Sequence, residues 1–354
     1  MRLSGMYIKG LGVHLPGRVT AQWAVEQGLY DADEAELHGV SATAVAGELP
    51  APEMALRAAG QALARCGHSA TDLDLLLYAA TWHQGPEGWL AHSYLQHNLV
   101  GDRVPAIEIR QGCNGMFSAM ELASYHLMAD PKRKAALLVA ADNYGTPLMD
   151  RWNMGRGYVG GDAASAMVLT KEPSFAEILS VGSATVSEAE EMHRGDEALF
   201  PPGITVGRGL DFGARNEEYL RNARSRTMGT AALLKIQQRT LELVDTTLAE
   251  SGITIADVTR VAYMNISKEI VRERCMGALG LPMSRSTWSF GATVGHCGAS
   301  DQTLALDHLV GTGRLGPGDH VLMLGNGPGV MLASAVIRIL KTPAWASSTV
   351  PAAG

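Results

Sequence analysis

The sequence predicts an α/β protein made of two similar halves, with sheets covered by helices on both faces. The first observation is that short, wholly apolar segments, such as Ala136-Leu137-Leu138-Val139-Ala140, alternate with helix-length stretches. A strand with no polar alternation is covered on both faces, the pattern of α/β folds. The second is an internal echo. Leu63-Ala64, Gly67, Asp72 and Tyr78 recur as Leu248-Ala249, Gly252, Asp257 and Tyr263, displaced by 185 positions (67 to 252, 78 to 263). The third is bulk. The chain has 354 residues, 46% hydrophobic and 18% charged, enough for one large or two closely packed domains.

Along the chain, the first copy of the echo reads as an amphipathic helix stopped by Gly67, a short turn and a buried strand ending at Tyr78. Val104-Pro105-Ala106-Ile107-Glu108-Ile109 is an apolar segment of strand length, and 116–128 carries apolar residues at helical spacing. Strands are predicted at 136–140 and 163–169. The second copy repeats helix, Gly252 stop, turn and strand; a helix at 302–310 and strands at 321–324 and 331–337 follow. Between the copies, 188–226 is polar and irregular, with Pro201-Pro202-Gly203 and Gly207-Arg208-Gly209. A loop that long in a compact protein is usually functional, so it is expected to cap a site. The organisation predicted is a first half at 1–180, a cap or linker at 181–230, a second half at 231–341 and a flexible tail at 342–354.

Net charge is −7 and the isoelectric point near 5.9, which argues against nucleic acid as a partner. No apolar run reaches membrane-span length, and Met1-Arg2-Leu3-Ser4-Gly5-Met6 does not open a signal segment. Cys66, Cys113, Cys275 and Cys297 have neither CxxC nor zinc spacing, so no metal is expected and the reading is a reduced, cytoplasmic protein.

Cys113 is the residue with evident chemistry. It stands in Gln111-Gly112-Cys113-Asn114-Gly115, between the apolar strand and the 116–128 helix. A cysteine at a strand-to-helix turn faces the positive end of the helix dipole, which favours the thiolate. Such a thiolate can accept and hold an acyl group.

Four motifs together resemble the thiolase superfamily, and within it the ketoacyl-ACP synthase III branch. They are the Cys113 turn, Gly161-Asp162-Ala163-Ala164-Ser165-Ala166, Gly295-His296-Cys297-Gly298-Ala299-Ser300-Asp301 and Gly325-Asn326-Gly327-Pro328-Gly329. The resemblance spans nearly the whole chain. It implies a thiolase-like fold with its duplicated halves in an α/β/α/β/α layering. It also implies a homodimer. Condensing members use a Cys, a His and an Asn, with the His in a Pro-His-Gln-Ala-Asn-like run. Here that run reads Val261-Ala262-Tyr263-Met264-Asn265-Ile266-Ser267, without histidine, and the family's Asn position holds His296. These departures are similar to the acyltransferase offshoot of antibiotic and polyketide biosynthesis, which uses Cys (sometimes Ser), His and Asp.

Carried over residue by residue, the resemblance implies Cys113 as nucleophile, His296 as base and Asp301 as its orienting acid. The expected oxyanion donors are the backbone N–H of Cys113 and that of Gly327 or Gly329, since Pro328 has none. His193 lies where some relatives carry a second active-site histidine. Asn265 stands near the lost histidine's place and is a candidate to bind a thioester carbonyl or an acceptor. Trp82 is a candidate to shape the pocket. Bland readings stand beside these: Asp301 as a helix N-cap, His193 as a solvated surface residue, Cys297 as a packing residue.

The resemblance implies a thioester donor on a carrier protein or CoA and a small-molecule acceptor, a hydroxyl or amine of a sugar or aminocyclitol. No cofactor is expected. The stretch 30–39, comparable to the family's adenine-binding region, is acidic and lacks its Trp and Arg, which disfavours the CoA phosphates. Arg151, Arg156, Arg208, Arg215, Arg221, Arg224 and Arg226 are candidates for a basic channel mouth. Two alternatives remain: a condensing enzyme selecting a polyketide or fatty-acid starter, and a non-catalytic partner subunit.

Overall fold

A computed structural model describes residues 1–346, apart from the side chains of 223–230. Both copies of the echo fold alike. Helix Ala51–Cys66 closes on Gly67 at φ 69°, and helix Ala223–Ser251 runs to Gly252 at φ 70°. That is the left-handed region in which a Cβ is penalised, hence the glycines. In each copy a capping box follows, Ser69 with Asp72 and Thr254 with Asp257, and leads directly into a strand.

The strands are β1 (Tyr7–His14), β2 (Arg18–Thr20), β3 (Ala42–Ala44), β4 (Leu73–Ala79), β5 (Ala106–Ile109), β6 (Ala135–Asp142), β7 (Ala163–Thr170), β8 (Ala176–Thr185), β9 (Val258–Ala262), β10 (His320–Gly327) and β11 (Met331–Ile339). Nine of them form one sheet in the order β5-β4-β6-β7-β1-β8-β11-β10-β9. The duplication is plain in that order: β4-β6-β7-β1 is matched by β9-β10-β11-β8. The equivalent pairs β4–β6 and β9–β10 are parallel, while β6–β7 and β10–β11 are antiparallel. The halves join through β1 and β8, which pair only at Tyr7–Glu177 and Ile8–Ala176.

Helices Gly115–Met128 and Asp301–Gly311 touch strands of both halves and form the buried middle layer. Helices Ala51–Cys66 and Ala223–Ser251 cover the outer faces. The fold is therefore the layered α/β arrangement that the sequence predicts. Every residue of β6 and β7 is buried, the reason those segments carry no polar alternation. The main core draws Met116, Phe117 and Met120 from one half and Val321, Met323 and Ile337 from the other. In β1, Gly10 and Gly12 allow close approach of the outer helix. A Cβ on either would overlap a helix carbonyl oxygen, that of Ala62 or Ala58.

Three expectations need correction. The cap is not an irregular loop: it holds helix Phe212–Arg221 and the start of helix Ala223–Ser251. The boundaries at 180/181 and 230/231 fall inside β8 and inside that long helix, because the halves share a sheet rather than a linker. The tail drawn from 342 is packed up to 346: Trp345 sits edge-on to Phe175 at 5.7 Å, with the Arg65 guanidinium 4.2 Å from its ring centre. Residues 347–354 lie outside the described part.

The glycines make a paired stability test. Gly12→Ala is expected to destabilise by about 3 kcal/mol or more, since the helix must shift to admit the methyl. Gly60, in the same outer helix, has open space where its Cβ would be. Gly60→Ala is expected to stabilise by about 0.5–1 kcal/mol. Urea unfolding of both variants checks the pair.

Candidate active site

The Cys113 turn is built by close packing. Residues Gly112–Asn114 form a single 3-10 turn between β5 and helix Gly115–Met128. Gly112 has φ 53°, and a Cβ there would stand 2.5 Å from Pro328 Cδ. Asn114 is fully buried and donates through Nδ2 to the Met331 carbonyl at 2.7 Å. The turn of the first half is thus clamped to the Gly325–Gly329 loop of the second. Cys113 is the one partly exposed cysteine; Cys66, Cys275 and Cys297 are buried. Burial pushes the Cys275 thiol up to about 12 and raises Cys297 as well, which leaves both unreactive.

His296 is held by its backbone: its N–H donates to the Val159 carbonyl, and its carbonyl accepts from Gly161. The ring's Nε2 is 3.0 Å from Cys113 Sγ and its Nδ1 is 2.5 Å from Asp301 Oδ2. Tyr158 packs edge-on to the ring at 5.2 Å. Burial alone pulls the imidazole's pKa down. The charges of Asp301 and Cys113 and the hydrogen bonds to both outweigh burial and hold it well above the ordinary histidine value. The favoured form is an imidazolium that donates to sulfur on one side and to carboxylate on the other.

Asp301 is fully buried and accepts from four donors. Oδ2 takes His296 Nδ1–H and the Asn265 N–H at 2.8 Å; Oδ1 takes Asn265 Nδ2 at 3.0 Å and the Cys297 N–H at 2.7 Å. The N-cap position of its helix belongs to Ser300, so Asp301 is not the cap. Asn265 thus faces Asp301, and it is absent from the lining of the cavity onto which Cys113 opens. Its Nδ2 is given to Asp301, and its Oδ1 lies where a side chain at Gly291 would stand.

Cys113 and His296 open onto a cavity of about 580 Å³ that is also lined by His193, Asn216, Arg156 and Tyr158. The remaining wall is mainly apolar, including Leu233, Ile236, Ile270 and Leu332. His193 therefore reaches the site. Its ring stands edge-on to Phe212 at 5.7 Å, and its Nδ1 is buried without a partner. Burial, with the Arg215 charge behind it, lowers its pKa and keeps it neutral.

Gly327 lines this cavity and Gly329 does not, so of the two loop candidates only Gly327 stands beside Cys113. Trp82 is elsewhere: it packs near Tyr144 and Met149 and lines a separate cavity of about 320 Å³. The arginine cluster is largely neutralised. Arg151, partly exposed, pairs with the buried Asp162, Arg208 and Arg215 share Glu197, and Arg156 and Arg221 share Glu217. The side chains of Arg224 and Arg226 lie outside the described residues.

Sequence reasoning missed Tyr158 and the pocket under Gly298. That glycine has φ 57°, and Thr81 Oγ1, Asp142 Oδ2 and Tyr144 OH crowd where its Cβ would be. Asp142 Oδ1 accepts from the N–H groups of Thr81 (2.8 Å) and Trp82 (3.1 Å). The one available signal was an acid closing a fully apolar strand. Burial, opposed by those N–H groups and by His296, pushes the Asp142 carboxyl up to about 7.

With this geometry in place, comparison with known proteins identifies the class. Residues 107–187 match the family model for 3-oxoacyl-[acyl-carrier-protein] synthase III, and residues 248–339 match the model for its C-terminal part. The chain is 59% identical to a solved structure named ChlB3 and described as an acyltransferase, with a TM-score of 0.91 over 96% of this chain and 99% of that one. The β-ketoacyl-[acyl-carrier-protein] synthase III of Clostridium perfringens is 22% identical over 335 residues, 93% of this chain and 98% of its own. The Rhodobacter capsulatus enzyme of the same name is 24% identical, with 94% and 98% covered. The synthase III structure from Aquifex aeolicus superposes with a TM-score of 0.75 at 22% identity, over 94% of this chain and 99% of that one. The chain belongs to the thiolase superfamily, in its ketoacyl-ACP synthase III-like branch.

Two outcomes follow from the buried carboxyls. Asp301→Asn turns an N–H toward donors, and is expected to cost about 3 kcal/mol and to lower the His296 pKa; thermal melts and imidazole NMR read both. Asp142 has a folded pKa near 7 against an unfolded value of 3.8. The folded state therefore binds the extra proton between those values, and stability falls as pH rises through that window, by on the order of 4 kcal/mol. Asp142→Asn is expected to abolish this slope in denaturant titrations at about pH 5 and about pH 8.

Proposed function

We propose that this protein is an acyltransferase that takes an acyl group from a carrier-protein or CoA thioester onto Cys113 and passes it to a hydroxyl or amine. The observation that carries the reading is the continuous line Cys113–His296–Asp301, with Asn265 turned onto Asp301. In condensing relatives two side chains polarise the thioester carbonyl. Here the residue nearest the missing histidine is occupied in holding the acid. The acyltransferase description of ChlB3, at 59% identity, supports the same reading.

The chemistry balances as follows. The Cys113 thiolate attacks the thioester carbonyl, and the tetrahedral oxyanion is received by backbone N–H groups of Cys113 and Gly327. Collapse expels the donor thiolate, which takes the proton from His296 Nε2. Acylation removes the thiolate charge and its hydrogen bond, two of the four influences that raise the imidazole's pKa. The same ring is then a neutral base with its Nε2 open to the acceptor. It takes the acceptor's O–H or N–H proton, the acceptor attacks, and the Cys113 thiolate leaves.

The acceptor reading is a sugar or aminocyclitol in secondary metabolism, bound in the cavity beside His193, by a cytoplasmic homodimer. No helix among the described residues is long and apolar enough to cross a membrane.

Mass spectrometry after incubation with acyl thioesters tests the donor step. A covalent acyl adduct on Cys113 is expected, and its absence with every donor overturns the proposal. Offering the acyl-enzyme a sugar or aminocyclitol and, separately, a malonyl carrier protein tests the second step. A β-ketoacyl product with no ester or amide would establish the condensing alternative instead. His296→Ala is expected to acylate slowly and to lose transfer by about 10²–10⁴-fold.

A further inference from the structure

A second cavity, of about 390 Å³, lies at the far end of helix Asp301–Gly311 from Asp301. Its lining includes Arg260, Lys268 and Arg314 and contains no carboxylate. None of these three has a carboxylate partner within 4.0 Å among the described residues. Arg260 donates to the Thr259 carbonyl at 3.1 Å and the Lys268 ammonium lies 5.2 Å from the Trp288 ring centre, but neither contact supplies a full negative charge in a chain of net charge −7. Cations that line one concavity make its potential positive and favour an anion there.

The rest of the lining suits such an anion. Ser284 and Ser289 carry hydroxyls without partners among the described residues, and both are exposed at the rim. The negative end of the helix is blunted. The carbonyl of His308 accepts from the N–H and hydroxyl of Thr312, and those of Leu309 and Val310 accept from Arg314 and Gly313. His308 is stacked on Phe290 at 4.3 Å and faces the cavity. Burial, then the charges of Arg314 and Arg18, lower its pKa.

We propose that this cavity is a binding site for a small-molecule phosphate monoester, its phosphate held between Arg260 and Arg314 and its organic part against Trp288 and Met283. Guanidinium groups match phosphate oxygens in planar, paired hydrogen bonds. The volume is many times the roughly 30 Å³ of one water and within the range of small-ligand sites, which leaves room for more than a bare phosphate ion. The site is separate from the Cys113 cavity and does not depend on the function proposed for it.

The test is an NMR titration of the His308 imidazole with glucose 6-phosphate, inorganic phosphate and glucose. Glucose 6-phosphate is expected to raise the His308 pKa, because a nearby anion favours the charged ring. Arg260→Gln and Arg314→Gln are each expected to weaken binding about tenfold or more, the loss of one charge-assisted contact. Their thermal unfolding midpoints are expected to stay close to the parent's, which reports intact folding. An unmoved His308 resonance overturns the proposal, as does undiminished binding in both variants. Equal affinity for inorganic phosphate overturns the assignment to an ester.

Discussion

The site depends on one buried carboxylate. Asp301 has no contact with water, so its charge must be matched within the protein or be lost to protonation. It is matched by four donors, two from Asn265 and one each from Cys297 and His296. That fixed anion orients the imidazole and makes its cation favourable against the cost of burial. A hydrogen-bonded, desolvated acid of this kind exerts its charge without solvent screening. Cys113 Sγ meets the opposite nitrogen of the same ring at 3.0 Å.

Cys113 and Asp301 come from opposite halves of the chain, so their alignment on the imidazole is a property of the interface between halves. Two contacts set it. Pro328 lies against Gly112, where a side chain would intrude, and Asn114 reaches across to the Met331 carbonyl. The middle-layer helices carry the two sides of the site at their N-terminal ends, Cys113 just before one and Asp301 opening the other. A rigid, doubly covered sheet beneath them holds the sulfur–nitrogen distance at hydrogen-bonding length.

Much of the frame was legible because it is written locally. Gly67 and Gly252 stop helices for a backbone reason that any sequence context shares, and each is followed by a short turn into a strand. Cys113 was legible from its turn and its motif. Other readings failed where a residue's meaning lay in a distant partner. Asn265 is a candidate ligand by its place in the motif, and its hydrogen-bond partner is an acid 36 residues on. Trp82 follows a strand that ends near the site, but turns away from it. Arg156, Arg208, Arg215 and Arg221 look free as a cluster, while Glu197 and Glu217 pair with them within the same stretch of chain. Asp142 was passed over because nothing in its neighbours reveals that Gly298 will lie on it.

By itself the sequence determined the α/β class, the duplication and the residue types able to carry an acyl group, because these rest on periodicity, helix stops and chemical identity along a short stretch of chain. Only the tertiary structure decided which of those residues meet. The contacts of Cys113 with His296 and of Gly112 with Pro328 join positions roughly two hundred residues apart, and their geometry comes from the packing of two halves that no local pattern records.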